Sequence, residues 1–158
     1  MSLILLYFCK KQDMTYYNKV KVNWSRAVHI DESWDSDNVE GFGLYFITRR
    51  YIRNGIEWES PLYVGITTRN FYVRLNEHFK NNAKWLHAYG RKYIKFGKIS
   101  IYNKDRYKLK FLLTDIESLI IERVEDRYPG ELLNIQQKGS YQSHYLLDPQ
   151  HIHNKWVR

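Results

Sequence analysis

The chain has little of what staples or anchors a small protein. Its one cysteine, Cys9, excludes an internal disulfide and any multi-cysteine zinc cluster. It has no long hydrophobic run. The apolar start, Ser2 to Cys9, falls far short of the roughly 20 residues that a membrane helix needs. That stretch also lacks a basic leading segment and a small-residue cleavage site, so it reads as a buried strand and not as a secretory signal. Met14 is an alternative start. There is no internal repeat, low-complexity tract or linker. The 158 residues therefore read as a single domain, with an extension over 1–40, a core over 41–134 and a tail over 135–158. The chain reads as soluble and cytoplasmic, with no membrane partner.

Acidic residues are also in short supply. Seventeen stand against 25 lysines and arginines, giving a net charge of +8 and a pI near 9.5. Such an excess points to a polyanionic partner, nucleic acid before an anionic membrane. The imbalance is sharpest from Lys80 to Lys110, which holds ten basic residues and one acid, Asp105. Lys80, Lys84, Arg91, Lys92, Lys95 and Lys98 are the candidate nucleic-acid contacts there. Trp85, Tyr89, Tyr93, Phe96, Tyr102 and Tyr107 lie among them, a mixture suited to phosphate contact with stacking. The plainer reading is a solvated basic face. His144, His151 and His153 have no carboxylate or cysteine partners at metal-binding spacing and read as tail histidines.

What is abundant is apolar and aromatic. Hydrophobic residues make up 44% of the chain and aromatics 16%, enough for a modest core and against disorder. Asn18 to Trp24 alternates with period two and reads as a strand. Asp31 to Asn38 reads as a solvated acidic loop. From Gly43 the order is strand, strand, helix, strand, helix. Asn54-Gly55 is a strong hairpin signal between strands Gly43–Tyr51 and Leu62–Ile66. Asn70 is a fair N-cap for a helix to about Asn82. Trp85 to Gly90 reads as a short turn or helix, and Tyr93 to Asn103 as the third strand. Phe111 to Arg127 carries Leu112, Leu113, Ile116, Leu119, Ile120 and Val124 at core spacing, and Pro129-Gly130 stops it.

Two strings carry the functional signal, Gly43-Leu44-Tyr45 and Tyr63-Val64-Gly65. They are followed by Arg74 and His78 on the first helix, Glu117 and Glu122 on the second, and then Asn134. Either tripeptide alone is weak. The ordered set resembles the GIY-YIG nuclease family, with Leu44 and Val64 standing where isoleucine is usual. The Arg-x3-His spacing resembles the family's restriction-endonuclease branch. The resemblance implies an α/β (α+β) fold, a small mixed and mostly antiparallel three-stranded sheet flanked by helices. It also implies a metal-dependent DNA endonuclease of restriction, defence or toxin type, with Mg2+ or Mn2+ as cofactor. A homodimer is plausible where both strands are cut. The family's cysteine-rich zinc module and its long second domain have no counterpart here. The competing reading is a non-catalytic nucleic-acid-binding module that keeps the fold.

Phosphodiester hydrolysis needs an oriented water, a proton acceptor and positive charge on the phosphate and leaving oxygen. By resemblance, Tyr45 orients or activates the water and Tyr63 lines the same site, although an ordinary tyrosine ionises only near pH ~10. Gly65 lets the backbone approach a neighbour closely. Arg74 can hold a phosphate bidentately, and His78, one turn on, can accept or donate a proton. Glu122 is chosen as metal ligand over Glu117. It precedes Asn134 by twelve residues and matches the later glutamate of the family's Glu-Ala-Leu-Leu-Leu-Glu pattern. The two acids stand about 140° apart on the helix, and Glu122 projects away from the core stripe. Asn134 braces the site.

Pairing arithmetic sets one further condition. A two-residue turn at Asn54-Gly55 puts Tyr45 opposite Val64, which leaves Tyr45 and Tyr63 on opposite faces. One shared site therefore requires a bulge, expected at Glu59 to Pro61.

Overall fold

The computed structural model describes residues 17–18, 20–101, 109–134 and 146–147. The strands are β1 (Tyr17–Asn18), β2 (Val20–Trp24), β3 (Val28–His29), β4 (Gly43–Arg53), β5 (Ile56–Thr67), β6 (Arg91–Ile101) and β7 (Leu146–Leu147). The α-helices are α1 (Phe71–Lys80) and α2 (Leu109–Arg127), with short 3-10 turns at Ile30–Asp35 and Lys84–His87. The central sheet runs β2-β6-β4-β5, all antiparallel, with β3 also paired to β6. The three expected strands are its middle and one edge, and β2 and β3 extend it to five. A separate short parallel pair joins β1 to β7. Residues 102–108 and most of the tail lie outside the described residues, as do the histidines at 144, 151 and 153 and the Ser2–Cys9 strand. Among the described residues no helix is long and apolar enough to cross a membrane.

β4 is buried on both faces from Gly43 to Thr48, because each face meets its own hydrophobic layer. Leu44 and Phe46 join Leu112, Ile116, Ile120 and Val124 of α2. Tyr45 and Ile47 point the other way, onto Phe71 and Leu75 of α1, with Trp85 and Phe96. This is the period-two alternation of a strand sandwiched between helices. At roughly 25 cal/mol per Å2 of apolar surface, such double burial makes β4 the anchor of the fold.

The hairpin turns as expected at Asn54 and Gly55, both with positive φ, 53° and 75°, the geometry a tight two-residue turn demands. Pairing then runs regularly from Arg53↔Ile56 to Thr48↔Pro61. There the register shifts, and Ile47 faces Tyr63 while Tyr45 faces Gly65. Leu62 is the extra residue. The required bulge exists, one residue beyond the expected Glu59–Pro61. Pro61 supplies no N–H to the ladder, and the step falls directly after it. Beyond the bulge Tyr45 and Tyr63 share the α1 face.

The outer edge of β5 is also closed. The Leu133 N–H donates to the Leu62 carbonyl at 3.0 Å. The Asn134 side chain accepts from the Val64 N–H at 3.3 Å and donates to the Val64 carbonyl. These bonds grip the strand on both sides of Tyr63.

Candidate active site

Gly65 is where the site begins. A Cβ on Gly65 would lie 2.2 Å from both Cζ and the hydroxyl of Tyr45, so only glycine leaves room for that ring across the strand pair. Tyr63 stacks beside it, with ring centroids 6.0 Å apart and planes 18° from parallel. Tyr45 is fully buried and Tyr63 half-buried.

α1 brings the polar partners. Its N-cap is Asn70, whose side chain accepts from the Val73 N–H at 2.9 Å, as the sequence led us to expect. The cap fixes the helix so that Phe71 and Leu75 pack inward. Arg74 and His78, one turn apart, then both reach Tyr45. Arg74 Nε–H donates to the Tyr45 hydroxyl at 3.3 Å, and that hydroxyl lies 2.6 Å from His78 Nε2. Arginine can only donate, so the Tyr45 oxygen accepts from Arg74, and with the His78 proton on Nδ1 the Tyr45 hydroxyl donates to Nε2. The directed chain is Arg74 to Tyr45 to His78. Glu77 holds Arg74 in place through Nη1 at 3.2 Å and binds Arg69 at 2.6 Å.

The fifth group comes from the opposite layer. Glu117 on α2 is 7% exposed, and its charge acts on Tyr63, Tyr45 and Arg74. The cluster thus draws on both layers of the molecule.

Burial dominates the electrostatics. It raises Tyr45 far above its ordinary value, with Tyr63 adding to the rise and Arg74 opposing it. Tyr63 is raised by burial first and by Glu117 next. Burial, then the nearby Arg74 charge, lowers His78 to about 4, so its imidazole is neutral near pH 7, and in the Nδ1–H tautomer Nε2 carries the lone pair. Glu117 is raised to about 7 by burial, with Arg74 pulling only partly the other way.

The GIY-YIG catalytic-domain profile matches residues 42–128, a span that holds every residue of this cluster. The chain belongs to the GIY-YIG nuclease family. No curated protein and no solved structure matches it.

Within this GIY-YIG domain the carboxylate whose charge acts on the cluster is Glu117, whereas the expected metal ligand was Glu122. Glu122 lies half-buried about 140° further round α2 and has interactions of its own. Glu117 occupies the core stripe between Leu113 and Ile120, both fully buried. The sequence signal for it was an acid at i+4 and i−3 from core leucine and isoleucine. Asn134 lies outside the profile match and reaches the site through β5, by its two bonds to Val64.

A divalent ion is implied by the GIY-YIG family, and the donor set fits one. Among the described residues Glu117 makes no hydrogen bond or ion pair, and its charge acts on both phenols. Among the described residues no three His, Cys, Asp or Glu side chains converge to hold an ion. An ion at Glu117 would hold one protein carboxylate and fill its other positions with water and substrate oxygens, as magnesium commonly does.

The six basic candidates do not form one stripe. Strand periodicity divides them. Lys92 and Lys98 pair with Arg49 and Gly43 and share their face, while Arg91 and Lys95 pair with Arg50 and Phe46 on the other. Arg91 is bound to Glu57 at 3.0 Å, and Lys98 packs its chain over Gly41. Lys80 and Lys84 are exposed at the end of α1 and in the following turn.

Proposed function

We propose that this chain is an endonuclease that hydrolyses phosphodiester bonds in DNA with Mg2+ or Mn2+, of restriction, defence or toxin type. The observation that carries the reading is the directed chain Arg74–Tyr45–His78 beside the buried carboxylate of Glu117. In this reading Glu117 holds the ion, which supplies positive charge to the phosphate and the leaving oxygen.

The remaining groups divide the work. The Tyr45 oxygen orients the attacking water and takes its proton while passing its own to Nε2 of His78. An incoming phosphate adds negative charge that favours imidazolium, so His78 gains basicity when a proton must move. Arg74 is engaged with Tyr45, Glu77 and Tyr63, and with five N–H donors it can also turn part of its fork to phosphate oxygens. Tyr63 walls the site and keeps water sparse, and Asn134 stiffens the strand beneath it. The direct test is incubation of the purified chain with plasmid DNA in Mg2+, Mn2+ or EDTA. Cutting with either ion and none in EDTA supports the reading. Metal-independent cutting, or tight DNA binding without cutting, overturns it.

A further inference from the structure

The β4–β5 hairpin runs on past the sheet, because β6 stops pairing with β4 at Arg50↔Arg91. Beyond that point the two strands form a bare ribbon from Tyr51↔Trp58 to Arg53↔Ile56. Its faces differ. One face continues the Tyr45–Tyr63 side and carries Tyr51, Arg53, Ile56 and Trp58. The other carries Ile52, Glu57 and Glu59, with the two acids bound to Arg91 at 3.0 Å and Arg50 at 3.2 Å.

The site-side face of the ribbon itself has no acid and wide aromatic exposure. Trp58 is 50% and Tyr89 72% exposed. Tyr89 is held 6.0 Å from Tyr51 by Gly90, whose positive φ of 96° lets it pass close to the Arg50 carbonyl. Arg49 lies 5.7 Å over the Tyr51 ring but is neutralised by Glu131 at 2.9 Å. Arg53 at the tip and Lys92 at the base have no ion pair among the described residues. Free cations flank an open aromatic platform, about 20 Å from Tyr45 along the strand.

We propose that this ribbon face binds an unpaired stretch of nucleic acid beside the bond to be cut. Bases stack on Trp58, Tyr51 and Tyr89 while Arg53 and Lys92 hold phosphates. The cutting part of this statement rests on the nuclease reading above; the binding part does not. Charge complementarity selects a polyanion. Ring exposure selects unpaired bases, since a duplex hides its base faces and a single strand offers them. A second copy of the chain fits poorly, because a symmetric pairing would bring Arg53 and Lys92 toward their own copies.

The test uses the full chain in EDTA, with a labelled single-stranded oligonucleotide and its blunt duplex followed by fluorescence anisotropy. The single strand should bind more tightly than the duplex. Trp58→Ala and Tyr89→Ala should each weaken single-strand binding by roughly fivefold or more, and Trp58→Phe should retain most of it. Both positions are exposed, and an unchanged melting temperature will confirm that the fold is intact. The proposal is overturned if neither alanine variant weakens binding, if the duplex binds as tightly, or if light scattering finds a dimer that the variants disrupt. Failure of the nuclease reading looks different: no cutting in metal, whatever the ribbon binds.

Discussion

The Tyr45 ring lies across Gly65 so closely that a single added methyl would sit 2.2 Å from its hydroxyl and Cζ. That contact exists only because Leu62 bulges out of β5 and moves Gly65 opposite Tyr45. The glycine of the second tripeptide is thus the seat of the tyrosine of the first. Gly65→Ala should displace Tyr45, lower stability by about 1–3 kcal/mol and abolish cleavage. Gly55→Ala is the control. Its φ of 75° makes alanine strained, at about 1 kcal/mol, but nothing lies near its Cβ, and cutting should persist. Thermal melts and a plasmid assay on both variants check this.

Glu117 predicts a trade of stability against function. Its value is raised from 4.5 to about 7, so folding favours the protonated acid. That contribution is complete below pH 4.5 and is lost as pH rises through 7. Glu117→Gln should therefore stabilise the metal-free protein at pH 8, by as much as about 3 kcal/mol, and abolish cleavage. At pH 4.5 the two proteins should be nearly equal. Urea denaturation at the two pH values reads the difference.

His78 has the opposite sign. Its value is lowered from 6.5 to about 4, so the folded state favours neutral imidazole. Its contribution is complete above pH 6.5 and is lost as pH falls toward 4. His78→Ala removes that dependence along with the proton acceptor of Tyr45. Its stability should fall less steeply with acid than the parent's, and its cleavage rate should drop by roughly 100-fold or more. Melting profiles across pH and single-turnover rates measure the two effects.

Asn134 is tested by its backbone bonds. Asn134→Ala leaves the Val64 N–H and carbonyl unpaired inside the protein, at about 1–3 kcal/mol for each buried group. Asn134→Asp can still accept from the N–H but cannot donate to the carbonyl, so its loss should be intermediate. Hydrogen exchange at Val64 should accelerate in the same order.

Much of this was legible in the sequence because local chemistry decided it. Asn54-Gly55 fixes the hairpin turn, Asn70 caps α1, and two tyrosines sharing one site require a bulge. The bulge position was less legible, since a proline-containing strand can absorb an extra residue on either side. The choice between Glu117 and Glu122 was not legible, for a physical reason. A helical wheel gives the angle between Glu117 and Glu122 but not which one faces a neighbouring layer, and an acid inside the core stripe looks like an interruption of it. How the basic residues of β6 divide between two faces was not legible, because composition ignores the alternation of the strand. The aromatic ribbon is not legible in the sequence, because its residues lie between the two tripeptides and carry no motif of their own.

The most direct measurement compares Glu117→Ala with Glu122→Ala on plasmid DNA in Mg2+ and Mn2+, alongside the parent in EDTA. The account predicts metal-dependent cutting by the parent and by Glu122→Ala, and none by Glu117→Ala. Cutting by Glu117→Ala with loss in Glu122→Ala, or equal cutting by both variants, would contradict it.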